Sequence, residues 1–140
     1  MLPAFAVIGV LLASTANATE RLPGPIPATV VRTIDGDTLL VRARIWLGHE
    51  VMTRVRLLGV DAPELHGKCA EESAQARRAH TFVTRMIARS EVTLTDLRFD
   101  KYGGRVLARV AVRGRDISQA LLAEGLARSY QGRKRANWCA

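Results

Sequence analysis

Apolar residues in the first half of the chain recur with the period of β-strands. Residues 28–34 and 37–47 are rich in β-branched and apolar side chains, and Asp35-Gly36 between them is typical of a tight turn. Successive side chains in residues 49–60 alternate between the two faces of a strand. One face would pack against the core, and the other would carry cations. The packing face would comprise Val51, Thr53, Val55 and Leu57. This part of the chain therefore predicts three consecutive strands.

The period changes to that of a helix in residues 69–89. The apolar stripe of this helix would comprise Ala79, Phe82, Val83 and Met86. Residues 91–97 and 104–112 return to strand patterns. The chain therefore predicts a fourth and a fifth strand after the helix.

A second, shorter helix is predicted over residues 117–124. Asp116 is placed to cap its amino terminus, and Gly125 is placed to end it. The complete order is three strands, a helix, two strands and a helix. That order predicts an α+β fold that is mainly β, a five-stranded Greek-key barrel of the OB type with packed helices.

The amino-terminal residues have a different character. Residues 2–12 are apolar, no charged side chain precedes Glu20, and residues 16–18 read Ala-Asn-Ala, with small residues where a signal peptidase cuts. The apolar run is shorter than the ~20 residues that a membrane span requires. These features predict a secretory signal peptide, with a hydrophobic end of the folded domain as the alternative.

Cleavage after residue 18 would divide the chain into a signal peptide and a mature protein. The signal peptide would occupy residues 1–18, and a proline-rich lead-in would occupy residues 19–27. The folded domain would comprise residues 28–140. We expect the mature protein to be secreted or periplasmic, without a membrane span.

The composition of the chain indicates what kind of partner it would bind. The chain has 140 residues, with 21 Lys+Arg against 13 Asp+Glu, a formal net charge of +8 and a sequence pI of about 10.7. A chain of this length accommodates a single core. Excess positive charge suits a polyphosphate such as nucleic acid, although a basic domain without such a partner would have the same composition.

Three acidic residues stand out in this basic chain. Asp37 starts the second predicted strand, whereas Asp61 and Glu64 lie on the loop that leaves the third. If these strands pair, the three carboxylates meet at one rim of the barrel and repel each other unless a cation binds there. Clustered oxygen ligands suit a hard divalent ion such as calcium better than zinc. Arg56 can approach the same rim, where its guanidinium suits a phosphate group.

Three motifs in combination resemble the staphylococcal nuclease (thermonuclease) family. They read IDGDT at residues 34–38, RLLGVDAPE at 56–64 and DKYGGRVLA at 100–108, and the similarity covers roughly residues 30–130. The resemblance implies an OB-fold, calcium-dependent phosphodiesterase. Such an enzyme would cleave DNA and RNA with little sequence specificity and leave 3'-phosphate ends.

The resemblance also implies roles for individual residues. Calcium would be held by Asp37, Asp61 and the backbone carbonyl of Ala62. The catalytic side chains would be Glu64 as general base, with Arg56 and Arg105 on the scissile phosphate. The nucleotide pocket would be lined by Lys101, Tyr102 and Tyr130.

The chain departs from the family pattern at two positions. Ala62 stands where the family's type member has threonine, which removes a hydroxyl group but keeps the ligand carbonyl. The segment DKYGGR has one glycine more than the family's DKYGR. The role of Arg105 therefore holds only if the extra residue forms a bulge in the loop.

The same residue types are also compatible with roles outside catalysis. Asp35 and Asp37 could be ordinary turn residues, and Arg56 could be a solvated strand residue. A barrel of this type can bind single-stranded nucleic acid without cleaving it, and a structural protein of the envelope can bind calcium. A pure binding module would not need the acids, and a structural protein would not need the arginines. The sequence therefore favours a monomeric nuclease with DNA and RNA as substrates.

The two cysteines, Cys69 and Cys139, complete the prediction. An even number of cysteines in an exported chain predicts a disulfide between them, with two free thiols as the alternative. The bond would hold the C-terminal tail (residues 132–140) against the first helix. Trp138 would then contact the domain, and the basic run GRKR (residues 132–135) would lie near the loop of Glu64. The basic run itself could bind phosphate or stay in solvent. Because neither sulfur would lie near the chemistry, activity would depend on the bond only indirectly.

Overall fold

The computed structural model describes residues 20–101 and 104–140, so the predicted signal peptide and Tyr102 lie outside the described residues. The barrel strands are β2 (Ile26–Asp35), β3 (Thr38–Trp46), β4 (His49–Leu57), β6 (Val92–Phe99) and β7 (Arg105–Val112). The short strands are β1 (Arg21–Leu22), β5 (Val60–Asp61), β8 (Arg115–Asp116) and β9 (Arg128–Ser129). The helices are α1 (Ala70–Ile87) and α2 (Ile117–Ala123).

Five strands close into a barrel. Antiparallel pairings join β6 to β2, β2 to β3 and β3 to β4, and β7 pairs in parallel with β4 and antiparallel with β6. The parallel pair is possible because α1 and β6 lie between β4 and β7 in the chain and provide a long crossover. The predicted α+β fold, an OB-like five-stranded barrel with packed helices, is confirmed.

The apolar core fills the interior of the barrel. Its fully buried side chains include Leu39, Val41, Val55, Leu57, Leu94 and Val110. In β4 the predicted packing face holds only toward the carboxyl end, where Val55 and Leu57 are buried, since Val51 is 42% exposed. The reason is that β4 pairs with β7 only over residues 54–57, so the tip of the β3–β4 hairpin extends past the barrel. There Trp46 is 71% exposed and Leu47 is 85% exposed.

Helix α1 packs against the turn between β2 and β3. Its predicted stripe is confirmed, because Ala79, Val83 and Met86 are buried and Phe82 packs against the core. A Cβ atom built on Gly36 would lie 2.7 Å from the Cβ of Ala79. Only glycine allows this close approach. The glycine of the IDGDT motif therefore sets the distance between the turn and the helix.

Helix α2 begins and ends as predicted. The Gln119 N–H donates to Asp116 Oδ1 at 2.9 Å, and Gly125 follows the helix with φ of 67°. The hydroxyl group of Ser118, buried on this helix, donates to the carbonyl of Leu58 at 2.9 Å. The helix thereby holds the chain as it leaves β4.

The Cys69–Cys139 disulfide is confirmed and closes a sequence separation of 70 residues. Cys69 is also the N-cap residue of α1, so the tail is attached to the start of that helix. Trp138 is 8% exposed, and the guanidinium carbon of Arg128 lies 4.0 Å from its ring centre. No helix in the described part of the chain is long and apolar enough to cross a membrane.

Candidate active site

The segment here called the acidic loop (residues 61–65) begins at the last residue of β5 and is held by the turn between β2 and β3. The N–H of Leu65 donates to Asp35 Oδ1 at 2.9 Å, and the N–H of Ala62 donates to Asp37 Oδ2 at 2.8 Å. Asp37 lies in the turn itself, one residue before β3, rather than in the strand as predicted. The two aspartates of IDGDT therefore position the acidic loop.

Arg56 pairs with two buried aspartates at the rim of the barrel. Its Nη2 lies 3.3 Å from Asp61 Oδ1 and 3.5 Å from Asp37 Oδ2. Its guanidinium carbon lies 4.9 Å from the ring centre of Tyr130. Arg56, Asp37 and Asp61 are all less than a tenth exposed, with Arg56 at 8%. Arg56 is therefore not a solvated strand residue, and its charge acts where water screens little.

Burial raises the pKa of Asp37. The positive charge of Arg56 and the hydrogen bonds from the Ala62 N–H and the Thr38 hydroxyl oppose that rise, and the negative charge of Asp61 adds to it. The ionised carboxylate of Asp37 is therefore less stable in the fold than in water. A cation bound beside it would offset this cost.

We expect Asp37→Asn to melt at a higher temperature than the wild type in excess chelator at pH 7. A carboxyl group with a raised pKa contributes stability that is fully present below its ordinary pKa of 3.8 and is lost as the pH rises through the raised value. The amide side chain introduced by Asp37→Asn has no charge at any pH, so the variant does not lose this stability as the pH rises. The measurement is thermal unfolding at pH 7 and at pH 4. The difference in melting temperature between the variant and the wild type should be smaller at pH 4.

Asp35→Asn is the matched control, since it changes the same turn without touching the buried pair. It should not gain stability at pH 7. A lower melting temperature for Asp37→Asn than for the wild type at pH 7 would show that Arg56 compensates fully for the burial of Asp37.

The C-terminal tail contributes an arginine that the sequence did not assign to the site. Arg135 Nε donates to Asp61 Oδ1 at 2.9 Å and Nη2 donates to the Ala62 carbonyl at 3.2 Å. Its Nη1 lies 3.0 Å from Glu64 Oε1. Trp138 Nε1 donates to Asp61 Oδ2 at 3.3 Å. The expectation that the basic run lies near the loop of Glu64 is confirmed, and the contact is direct.

The loop between β6 and β7 brings further charges to the same cleft. Arg105 forms an ion pair with Asp100, and the N–H of Asp100 donates to the carbonyl of Arg105 at 3.1 Å. Lys101 Nζ donates to the carbonyl of Gly132 in the tail at 3.2 Å. Because Tyr102 lies outside the described residues, its predicted place in the nucleotide pocket stays a prediction.

An open cleft of about 890 Å³ connects these groups. The predicted site residues that line it are Asp37, Arg56, Asp61, Glu64, Lys101, Arg105 and Tyr130. Ala62 is a fully buried residue of the acidic loop, and its carbonyl oxygen accepts a hydrogen bond from Arg135. The sequence interpretation missed Arg98, Phe99, Arg109 and Arg135. The position of Phe99 directly before the DKYGGR motif was the available signal, and its side chain is 61% exposed.

The oxygen atoms of the site suit a hard divalent cation in their chemistry. Asp61 Oδ1 and the carbonyl oxygen of Ala62 both accept hydrogen bonds from the guanidinium of Arg135. Asp37 and Asp61 both form ion pairs with the guanidinium of Arg56. Across residues 20–101 and 104–140, no group of three or more His, Cys, Asp or Glu side chains is arranged to hold a metal. Calcium takes about six to eight oxygen ligands. A calcium ion here would therefore need the Ala62 carbonyl and several water molecules besides the two carboxylates.

Comparison with known proteins places the chain in a family. Residues 54–138 match the family described as staphylococcal nuclease homologue. The chain is 31% identical over 145 residues to Protein ParB of Escherichia coli, which covers 97% of this chain and 72% of that protein.

Two relatives are named endonucleases. Probable endonuclease lcl3 of Penicillium rubens is 39% identical over 88 residues, covering 56% of this chain and 30% of that protein. An uncharacterized endonuclease of Escherichia coli is 31% identical over 107 residues, covering 76% of this chain and 62% of that protein. The chain thus spans less than a third of the Penicillium protein. With the family match covering more than half of its length, this chain belongs to the staphylococcal nuclease family.

Proposed function

We propose that the chain is a calcium-dependent nuclease that hydrolyses phosphodiester bonds of DNA and RNA with little sequence specificity and leaves 3'-phosphate ends. The observation that carries this proposal is the buried cluster of Arg56 with Asp37 and Asp61, which lines an open cleft together with further arginine and lysine side chains. Such a cluster is costly to bury unless it binds an additional charged group. Endonuclease names among the relatives support the same reaction class.

Each residue of the cluster has a distinct part in the proposed hydrolysis. Arg56 would bind the oxygens of the scissile phosphate, and Arg105 would add a second guanidinium from the start of β7. Glu64, whose side chain is 49% exposed, would accept a proton from the attacking water. Calcium, held by Asp37, Asp61 and the Ala62 carbonyl, would supply positive charge beside the phosphoryl oxygens.

The rest of the cleft suits a nucleic-acid strand. Lys101, Tyr102 and Tyr130 would line the nucleotide pocket, and Arg98 and Arg109 extend the basic lining. The exposed ring of Phe99 would stack on a base, a contact that every base can make. Backbone charge and stacking do not distinguish sequences, which supports a nuclease with little sequence specificity.

The proposal includes export from the cytoplasm. A disulfide between Cys69 and Cys139 is typical of an oxidising compartment. We therefore propose that residues 1–18 are a signal peptide and that residues 19–27 are a lead-in, of which β1 and the first residues of β2 pair with β6. Residues 28–140 would act as a monomer outside the cell or in the periplasm.

Cleavage of labelled single-stranded DNA and RNA should require calcium. The purified chain should cleave both in calcium and lose activity in excess chelator. Magnesium should support cleavage poorly, because its stricter octahedral geometry would misplace the bound groups. Undiminished cleavage in chelator would contradict the metal assignment. Binding of strands without cleavage in calcium would favour the non-catalytic binding module.

A further inference from the structure

We propose that Arg135 is a displaceable internal cation of the calcium site, so that docking of the C-terminal tail and binding of calcium oppose each other. The inference rests on the calcium assignment of the proposed function. It assigns a regulatory role to a residue that lies outside the three motifs. It also predicts that the affinity for calcium depends on the tail.

The same oxygen atoms are involved in both interactions. One guanidinium contacts Asp61 Oδ1 at 2.9 Å and the Ala62 carbonyl at 3.2 Å, and these are proposed calcium ligands. Calcium binds its oxygen ligands at about 2.3–2.6 Å. A divalent cation at that distance would lie against the guanidinium and repel it. The two cations therefore compete for one position.

The charge balance explains why an internal cation is useful there. Asp37 and Asp61 are buried side by side, and Arg56 supplies only one positive charge for the pair. Arg135 supplies a second and also pairs with Glu64. Burial acts to lower the pKa of Arg135, but the hydrogen bond and charge of Asp61, with Glu64 and Glu72, raise it. Arg135 thus stays charged, and it leaves by displacement rather than by titration.

The tail is built to keep Arg135 near the site without fixing it there. Cys139 attaches the tail to the start of α1, and Trp138 donates to Asp61. Lys101 holds the other end of the tail through the carbonyl of Gly132. The side chain of Arg135 is nevertheless 35% exposed, so it can swing into solvent. Tethering at both ends gives the guanidinium a high local concentration, which makes it an effective competitor.

Displacement of Arg135 would also break its ion pair with Glu64. In the docked tail, Nη1 of Arg135 lies 3.0 Å from Glu64 Oε1. That contact occupies the carboxylate oxygen that would otherwise be open to a water molecule in the cleft. Calcium binding would therefore release the proposed general base in the same step. The coupling would keep the site inactive at low calcium.

Calcium affinity measured by titration calorimetry tests the inference without an activity assay. The disulfide-bonded wild type is compared with Arg135→Gln, and Arg133→Gln is the control because Arg133 is an exposed arginine of the same tail. Both variants lose one positive charge. Arg135→Gln should bind calcium roughly fivefold or more tightly than the wild type, a typical coupling between opposing sites. Arg133→Gln should bind like the wild type.

A second variant and a second measurement separate displacement from a folding defect. Arg135→Lys keeps the charge but loses the two-pronged contact, so its calcium affinity should fall between those of the wild type and Arg135→Gln. In thermal unfolding, calcium should raise the melting temperature of Arg135→Gln more than that of the wild type, since no internal cation is lost on binding.

The outcomes distinguish this inference from the proposed function. Equal affinities for the wild type and Arg135→Gln would overturn the inference and leave the calcium site intact. Weaker binding by Arg135→Gln would also overturn it, since Arg135 would then help to build the site. Absence of calcium binding in all the proteins would reject the calcium assignment itself, and the inference with it.

Discussion

Arg56→Lys should lower the rate of strand cleavage by roughly 10²-fold or more while weakening nucleotide binding much less. Arg56 lies between the buried aspartates and the open cleft, where a planar guanidinium can contact an aspartate and a phosphate at the same time. Lysine keeps the positive charge but loses the fork that makes two parallel hydrogen bonds. Single-turnover cleavage in saturating calcium, measured beside nucleotide affinity, gives the two losses separately.

Arg54→Lys is the matched control for this prediction. Arg54 lies on the same strand two residues earlier, but it is exposed. Its replacement should leave both rate and affinity close to those of the wild type. If Arg56→Lys lowered binding and cleavage by equal factors, Arg56 would only bind the substrate and would not stabilise the charge that develops during the reaction.

Cys139→Ser should destabilise the fold by up to about 4 kcal/mol and still leave a protein that cleaves at low temperature. The bond closes a separation of 70 residues, and in the loop-entropy model a loop of this length contributes roughly that amount. The barrel core does not include either sulfur, so the fold should persist. Thermal unfolding under oxidising conditions, compared with cleavage at low temperature, is the measurement.

Reduction of the wild type provides the control for the disulfide. The reduced wild type should melt like Cys139→Ser, and the variant should not respond to reductant. Equal melting temperatures for the oxidised wild type and the variant would mean that the bond contributes nothing to stability. Loss of all cleavage at low temperature would show that the bond itself maintains the site.

The sequence predicted that activity depends on the disulfide only indirectly. In the structure, the tail that the disulfide attaches contacts the proposed site directly. Arg135 and Trp138 both contact Asp61 from the tail that Cys139 attaches. Residue spacing could place the tail near the acidic loop, because the predicted bond fixed one end. It could not identify Arg135 among the three basic residues of the run, since that choice depends on the path of the tail across the cleft.

Much of the fold was predictable because the barrel interior demands apolar side chains at regular positions. The stripe of α1 and the caps of α2 are local features, and both were confirmed. The environment of Arg56 was not predictable from the strand period, which places polar residues outward. Arg56 is buried because the rim of the barrel supplies two aspartates that no local pattern connects to it.

The loop between β6 and β7 shows a similar limit. Arg105 lines the cleft, yet it pairs with Asp100 across the loop that carries the additional glycine. Motif spacing identified the arginine but not this partner, because the pairing depends on how the loop turns back on itself. The contact between Arg105 and a phosphate stays a prediction. The place of Tyr102 in the nucleotide pocket stays a prediction as well.

In the proposed function, the cluster of Arg56 with Asp37 and Asp61 cleaves phosphodiester bonds. The most direct test compares the wild type with Asp61→Asn, purified in parallel, on an end-labelled strand in calcium, with analysis of the product ends. The proposal predicts that the wild type yields fragments with 3'-phosphate ends and that Asp61→Asn yields almost none. Equal cleavage by the two proteins would contradict it.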